Sequence, residues 1–221
     1  MLPLANTIRR ARDLRSLSVD LEMALESLDA LEALWETPTA HDDFMLKTTE
    51  SALLNNALVL YVRATKTKSK HRGDFDLRSR FSEEEKLTHD ELVALRDDAI
   101  AHFGPGGRLG TEWHAELVIL QVKGEDAKPA VATRRKMFDR NLTERARNQI
   151  GVALELLHVL TQGKLDEVAD EINNAVANDP DFHNVVNRHR LNLDIFLTSD
   201  EAGAAARSSF GQGYAKWSLT R

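Results

Sequence analysis

An arginine and a histidine lie six residues apart near the end of one predicted helix. They are Arg96 and His102, and the glycine-rich residues 104–107 follow directly. A guanidinium stays charged at physiological pH, whereas an imidazole takes up and releases a proton near neutrality. A cation that holds phosphoryl charge and a group that moves a proton can together act on a phosphodiester. This pair is therefore the candidate catalytic site of the chain.

Local signals predict the helix that carries the pair. Ser82 and Glu85 have the spacing of a capping box, which marks the start of a helix. Residues 104–107, Gly-Pro-Gly-Gly, cannot continue a helix, so we expect its end near His102 or Phe103. An apolar stripe is expected on the buried face of this helix, formed by Leu87, Leu92, Leu95 and Ala99.

The spacing of the pair bears on the number of chains in the site. At about 100° and 1.5 Å per residue, Arg96 and His102 lie roughly 120° apart around an α-helix and about 9 Å apart along it. Within one chain the two side chains do not point at the same spot. Two copies of the helix would bring an arginine and a histidine together more easily, so we expect a homodimer if the pair is functional.

The residues around the pair resemble a known motif. Residues 95–103, LRDDAIAHF, resemble the Arg-x(4–6)-His motif of HEPN domains, in the variant with a polar residue after the arginine and an alanine before the histidine. Arg96, Asp97 and His102 match those positions. A second match to the spacing, Arg108 to His114, begins in the glycine loop and runs into a predicted strand, which is the wrong context. The likeness is looser over residues 14–178, where helix order and motif placement fit.

The resemblance implies a fold and an activity. HEPN domains are helical bundles that commonly dimerise through their motif helices, and many are metal-independent endoribonucleases of toxin–antitoxin or antiviral defence systems. On this basis His102 moves the proton, Arg96 stabilises charge on the phosphoryl oxygens, and Asp97 orients one of the two. The implied partners are an RNA substrate, a second copy of the chain and a cognate antitoxin protein, with no metal and no cofactor.

An alternative from a different class stays open at this point. The same bundle can be a non-catalytic dimer that binds a protein partner or a nucleotide, with Arg96 and His102 fastening the helix end. A catalytic pair must line an open cleft, whereas a structural pair would be buried and bonded to backbone carbonyls. The adjacent residues Asp97 and Asp98 face different directions on a helix and have no matching partner motif, so no metal site is expected there.

A basic cluster follows the second predicted helix. It consists of Lys66, Lys68, Lys70 and Arg72. Cations on a loop can hold a phosphate backbone in position without choosing a sequence, which makes these residues candidates for RNA binding. The other interpretation is a solvated loop between two helices.

Composition limits the classes of function. The chain has 221 residues, 42% hydrophobic content, no cysteine and a formal net charge of −6. Such a chain can bury a full core, but its acidity opposes a surface that coats nucleic acid broadly, so any RNA contact must be local. The chain contains no apolar run of 18 residues, and its first residues lack the apolar region of a signal peptide. We therefore expect a cytoplasmic protein with no membrane partner.

The wider pattern predicts a mainly α fold, a HEPN-like helical bundle with an inserted β-hairpin and a C-terminal strand and tail. Five helices are expected, over about residues 14–35, 44–61, 82–102, 143–162 and 165–178, with Gly163 separating the last two. The hairpin is expected at about 112–138, and the alternating residues 191–198 predict a third strand. Residues 199–213 are expected to form a mobile linker. The predicted domains are the bundle, 14–178, and an extension, 179–221.

Overall fold

The computed structural model describes most of the chain as helix. The described residues are 2–36, 44–66, 72–73, 75–101, 114–123, 126–135, 140–188, 192, 196–197 and 200–208. The chain divides into two compact units, Met1–Val168 and Ala169–Arg221. The mainly α fold class is confirmed. The predictions for His102, Lys68 and Lys70 fall outside the described residues.

Two long helices begin the first unit. Helix α1 spans Leu2–Glu36 and helix α2 spans Phe44–Thr65. The buried side of α1 repeats at three- and four-residue steps, as a helix that packs on a core requires, and is formed by Leu14, Leu17, Leu21, Ala24, Leu28 and Leu31. The predicted end near residue 35 is confirmed, whereas the helix starts earlier than the predicted residue 14.

Helix α3 spans Glu83–Leu95 and starts at the predicted capping box. The Ser82 hydroxyl accepts from the Glu85 backbone N–H, and the Glu85 carboxylate accepts from the Ser82 N–H. The buried residues are His89, Leu92 and Leu95. The predicted stripe is wrong at Leu87, which is 73% exposed. Leu87 lies five residues before Leu92, a rotation of about 140° from it, whereas His89 lies one turn away.

Helix α4 is one continuous helix, Arg140–Asn178, so the predicted break at Gly163 is wrong. A glycine in a helix interior costs only about 1 kcal/mol relative to alanine, and it does not by itself end the helix. Side-chain bonds also span this turn, from Gln162 to Asp166 and from Lys164 to Glu167. The helix ends before Pro180, as predicted.

The core of the first unit lies among these four helices. It combines the leucines of α1 with Leu54, Leu58 and Tyr61 of α2, with Leu92 and Leu95 of α3, and with Ile150, Ala153 and Leu157 of α4. Ion pairs join α4 to its neighbours, since Arg147 contacts Asp29 and Glu32 of α1 and Arg145 contacts Glu91 of α3. The end of α3 is therefore held by packing on several sides.

Two strands lie between α3 and α4 in the sequence. They are β1, His114–Lys123, and β2, Asp126–Arg135, and they pair antiparallel with Val118 opposite Val131. No other strands occur in the part of the chain that the structure describes. Their insertion into a HEPN-type bundle stays a prediction.

The described residues of the second unit include helix inside two segments for which other structures were predicted. Helix α5 spans Pro180–Arg188 and helix α6 spans Asp200–Ser208. The predicted strand 191–198 is wrong at Phe196 and Leu197, which are helical, with the Phe196 N–H bonded to the Asn192 carbonyl at 3.0 Å. Asparagine and aspartate in that alternation disfavour a strand.

The predicted mobile linker, residues 199–213, is wrong over the length of α6. Its alanines favour a helix, and Asp200 in the first turn and Arg207 in the last turn complement the helix dipole.

None of the helices in the described ranges combines the length and apolarity needed to cross a lipid bilayer.

Candidate functional site

Arg96 stands where the backbone changes from an α-helix to a π-helical turn. Leu95 is buried in the core, and the Arg96 N–H is shared between the carbonyls of Leu92 and Val93. The π turn spans Arg96–Ala101, and His102 is the next residue in the sequence. Single π turns inside helices are rare and frequently occur at functional sites.

The π turn changes the backbone geometry just after Arg96. Its hydrogen bonds join residues five apart, so each residue rotates less than the 100° of an α-helix. The predicted separation of Arg96 and His102, about 120° and 9 Å, assumed an α-helix throughout. His102 lies outside the described residues, so this separation and the homodimer inferred from it stay predictions.

Three of the predicted site residues form one network. The Arg96 Nη1 donates to Asp97 Oδ1 at 2.9 Å, and the Lys66 ammonium donates to Asp97 Oδ2 at 2.7 Å. Each carboxylate oxygen of Asp97 therefore has its own cation. Lys66 was predicted for RNA binding and Asp97 for orientation of the catalytic pair, and the structure brings both to Arg96.

The two cations keep Asp97 ionised. Burial alone would raise the pKa of the Asp97 carboxyl, but the hydrogen bonds from Lys66 and Arg96 and their positive charges outweigh burial and lower it. At neutral pH this group is a fixed negative charge that holds two side chains in place. It is therefore unsuited to transferring a proton at that pH.

The contact with Asp97 leaves other hydrogen-bond donors of Arg96 unused. Its side chain is 34% exposed, and its Nε is buried without a hydrogen-bond partner among the described residues. A guanidinium carries five N–H donors, of which the Asp97 contact uses one. The buried Nε cannot reach a ligand, so a phosphate would meet the Nη donors that the Asp97 contact does not use.

Arg72 lies in a different ion-pair cluster. Its Nη1 bonds to Asp20 at 2.8 Å and to the Ser16 hydroxyl at 3.3 Å, and its side chain is only 15% exposed. Asp20 is buried and also accepts hydrogen bonds from Nε and Nη2 of Arg63, at 2.9 and 2.6 Å. Lys66 therefore joins the Arg96 network, Arg72 does not, and Lys68 and Lys70 lie outside the described residues.

A buried histidine on α3, His89, was not predicted from the sequence. The His89 ring on α3 accepts or donates at 2.8 Å to the Tyr61 hydroxyl and packs edge-on against that ring, with Phe81 on another side. Burial lowers the pKa of His89, and the attraction of Asp90 offsets only part of that effect. Its position one turn before Leu92 was the signal for burial that the predicted stripe overlooked.

A second group of polar residues that was not predicted from the sequence lies near the start of α1, where residues 6, 9, 10 and 13 share one helical face.

Among the residues with described positions, no three histidine, aspartate or glutamate side chains are grouped closely enough to hold a metal ion.

No protein-family model, curated protein or solved structure matches this chain. The likeness to HEPN domains therefore rests on residues 95–103 and on the order of the helices, and membership of that family stays a prediction.

Proposed function

We propose that this chain is a HEPN-type endoribonuclease that works without a metal, as a homodimer, in a toxin or antiviral defence role in the cytoplasm. The observation that carries the proposal is the setting of Arg96. It is partly exposed at a π turn and is anchored on one side by Asp97, a contact that uses one of its five N–H donors. A positioned arginine with free donors is suited to phosphoryl oxygens.

The reaction that the resemblance implies needs one group that transfers protons and one group that stabilises negative charge. The ribose 2′-hydroxyl loses its proton and attacks the adjacent phosphorus, and the bond from phosphorus to the 5′-oxygen breaks. The leaving oxygen takes up a proton, so the products are a 2′,3′-cyclic phosphate and a 5′-hydroxyl. His102 moves the protons by general acid–base catalysis, and Arg96 stabilises charge that develops on the phosphoryl oxygens.

Asp97 and Lys66 have supporting roles in this proposal. Asp97 orients Arg96 through the 2.9 Å contact, and Lys66 adds a second cation beside it. Two cations therefore contact one carboxylate, in a chain that is acidic as a whole. Phosphate contacts are also proposed for Lys68, Lys70 and Arg72, with Arg72 contributing least because Asp20 and Ser16 already occupy its donors.

The test is the fate of end-labelled RNA in excess EDTA. We expect cleavage to persist and to leave 5′-hydroxyl ends and 2′,3′-cyclic phosphates, because the 2′-hydroxyl attacks without help from a metal. Strict dependence on Mg²⁺ or Mn²⁺, or products with 5′-phosphates, would overturn the proposal.

The Lys66 contact also favours a second candidate, a non-catalytic scaffold that binds a protein partner or a nucleotide. By bonding Asp97, Lys66 fastens the end of α2 to the turn after α3, which is what a structural role requires. In that case substitution of Arg96 would change the stability of the fold and leave no RNA cleavage to measure.

A further inference from the structure

A cleft apart from the Arg96 network lies between the start of α1 and the segment after α2. Its volume is about 390 Å³, near the lower end of the usual range for small-molecule sites. The lining residues are Asn6, Arg9, Arg10, Asp13, Gly73 and Phe75. The cleft therefore combines two arginines, an amide and an aromatic ring in a space of the size that a small ligand needs.

The sequence of α1 explains one wall. Residues 6, 9, 10 and 13 recur at the three- and four-residue steps that put side chains on one face of a helix. The other wall is fixed to this one, because the Gly73 N–H donates to Asp13 Oδ2 at 2.9 Å. A Cβ at position 73 would lie 3.2 Å from that oxygen and 3.4 Å from the Phe75 ring. Glycine therefore allows the close approach of the two walls.

The two arginines of the cleft are available for an anion. Arg9 and Arg10 are exposed and form no hydrogen bond or ion pair within the described residues. The one carboxylate in the cleft, Asp13, is already bonded by the Arg12 guanidinium at 2.8 Å and by Gly73. Its charge is thereby largely offset, so it opposes an incoming phosphate only weakly.

We propose that this cleft binds one nucleotide unit, with the phosphate on Arg9 and Arg10 and the base against Phe75. Arginine forks match phosphate geometry, and bases stack on aromatic rings regardless of sequence. Asn6 offers both a donor and an acceptor to a sugar or to a base edge. The unit belongs either to an RNA strand, in which case the cleft serves the proposed ribonuclease, or to a free mononucleotide.

Calorimetry with the full chain tests binding directly, with AMP, adenosine and inorganic phosphate as separate ligands. AMP is expected to bind at least tenfold more tightly than adenosine or phosphate alone, because only AMP engages both walls. The double variant Arg9→Gln/Arg10→Gln should lose AMP binding, and Arg80→Gln, at an exposed arginine outside the cleft, should keep it. Phe75→Leu should weaken AMP binding by about tenfold, whereas Phe75→Tyr should retain it.

A 2′-O-methyl oligonucleotide, which cannot be cleaved through its 2′-oxygen, distinguishes the two sources. If the unit belongs to a strand, Arg9→Gln/Arg10→Gln should reduce the slope of log affinity against log salt by about 1.4, which is about 0.7 for each lost contact. If AMP binds but the salt slope of the oligonucleotide is the same in Arg9→Gln/Arg10→Gln as in the wild type, the cleft binds a free nucleotide.

The variant His102→Ala separates this inference from the proposed ribonuclease. It should bind AMP as the wild type does, because the described residues that line the cleft belong to α1 and to the segment after α2. The inference is overturned if neither AMP nor the oligonucleotide binds, or if their binding is the same in Arg9→Gln/Arg10→Gln as in the wild type.

Discussion

The Lys66 ammonium donates a 2.7 Å hydrogen bond to the Asp97 carboxylate, across 31 positions of sequence. This contact ties the end of α2 to the π turn that carries Arg96, and Asp97 then holds Arg96 at 2.9 Å. The orientation of the candidate catalytic arginine therefore depends on Lys66, the residue that follows α2.

Replacement of Lys66 by methionine should impair RNA cleavage more than it impairs folding. The Lys66–Asp97 pair is partly exposed, with Lys66 53% exposed, and such pairs contribute about 0.2–1 kcal/mol. Loss of the pair frees Asp97 and with it Arg96, so we expect a drop in kcat with a small change in the free energy of unfolding. Equal losses of stability and of activity per folded molecule would contradict this role.

The same pair predicts a dependence on pH. The pKa of Asp97 is lowered in the folded chain, so its contribution to stability is present above the unfolded pKa of about 3.9 and is lost as the pH falls through the lower folded pKa. The stability gap between the wild type and Lys66→Met should therefore be constant from pH 7 to pH 5 and shrink below about pH 4. Urea titrations at a series of pH values measure this gap, and a gap that widens on acidification would contradict the assignment.

Arg96→Lys should lose most of the RNA cleavage although it keeps the positive charge. An ammonium cannot supply the planar, two-pronged contact that a guanidinium makes to a phosphate. We expect a loss of at least about tenfold in kcat/KM, with thermal unfolding near that of the wild type. Arg80→Lys is the matched control at an exposed arginine without a side-chain bond in the described structure. Full activity in Arg96→Lys would mean that a simple positive charge suffices.

The start of α3 and part of its buried face could be predicted from the sequence. The capping box at Ser82 and the burial of Leu92 and Leu95 follow from patterns within one or two turns. The π turn and the Lys66–Asp97 contact could not be predicted from the sequence. A π turn depends on how the backbone accommodates the surrounding packing, and the contact joins residues that only the packing of α2 beside α3 brings together.

Two segments rich in small residues, around Gly163 and at 199–213, were assigned the wrong secondary structure from the sequence. Gly163 was interpreted as a stop and residues 199–213 as a linker, because small residues favour both turns and flexible segments. In the structure Gly163 lies inside α4, and Asp200–Ser208 form a helix. Composition alone did not distinguish a helix with weak propensity from a loop, since packing and end charges decide between them.

The buried His89 should make the stability of the fold fall on mild acidification. Burial lowers the pKa of His89 in the folded chain, so below about pH 6.5 the unfolded chain takes up this proton first. The wild type should therefore lose stability between pH 7 and pH 5 more steeply than His89→Gln, which does not titrate. His183→Gln, at an exposed histidine of α5, is the matched control. Parallel pH profiles for the wild type and His89→Gln would contradict the burial argument.

Arg72 should prove more important for stability than for RNA binding. Its donors contact Asp20 and Ser16, and removing them leaves the buried Asp20 carboxylate with fewer partners. We expect Arg72→Met to cost about 1–3 kcal/mol of unfolding free energy, compared with about 0.5 kcal/mol or less for Arg80→Met. Denaturant titration measures both. Unchanged stability together with weaker RNA binding would instead support the direct phosphate contact that the sequence suggested.

The central claim, that Arg96 and His102 form a ribonuclease site, is tested most directly by one paired measurement. Wild type and His102→Ala are incubated with total RNA in excess EDTA, and the cleavage rate and the melting temperature of each are recorded. We predict metal-free cleavage by the wild type, a rate roughly 10²-fold or more lower in His102→Ala, and nearly equal melting temperatures, because the imidazole transfers a proton and is not needed for folding. Equal rates per folded molecule, with a lower melting temperature for His102→Ala, would contradict the claim and assign the pair a structural role.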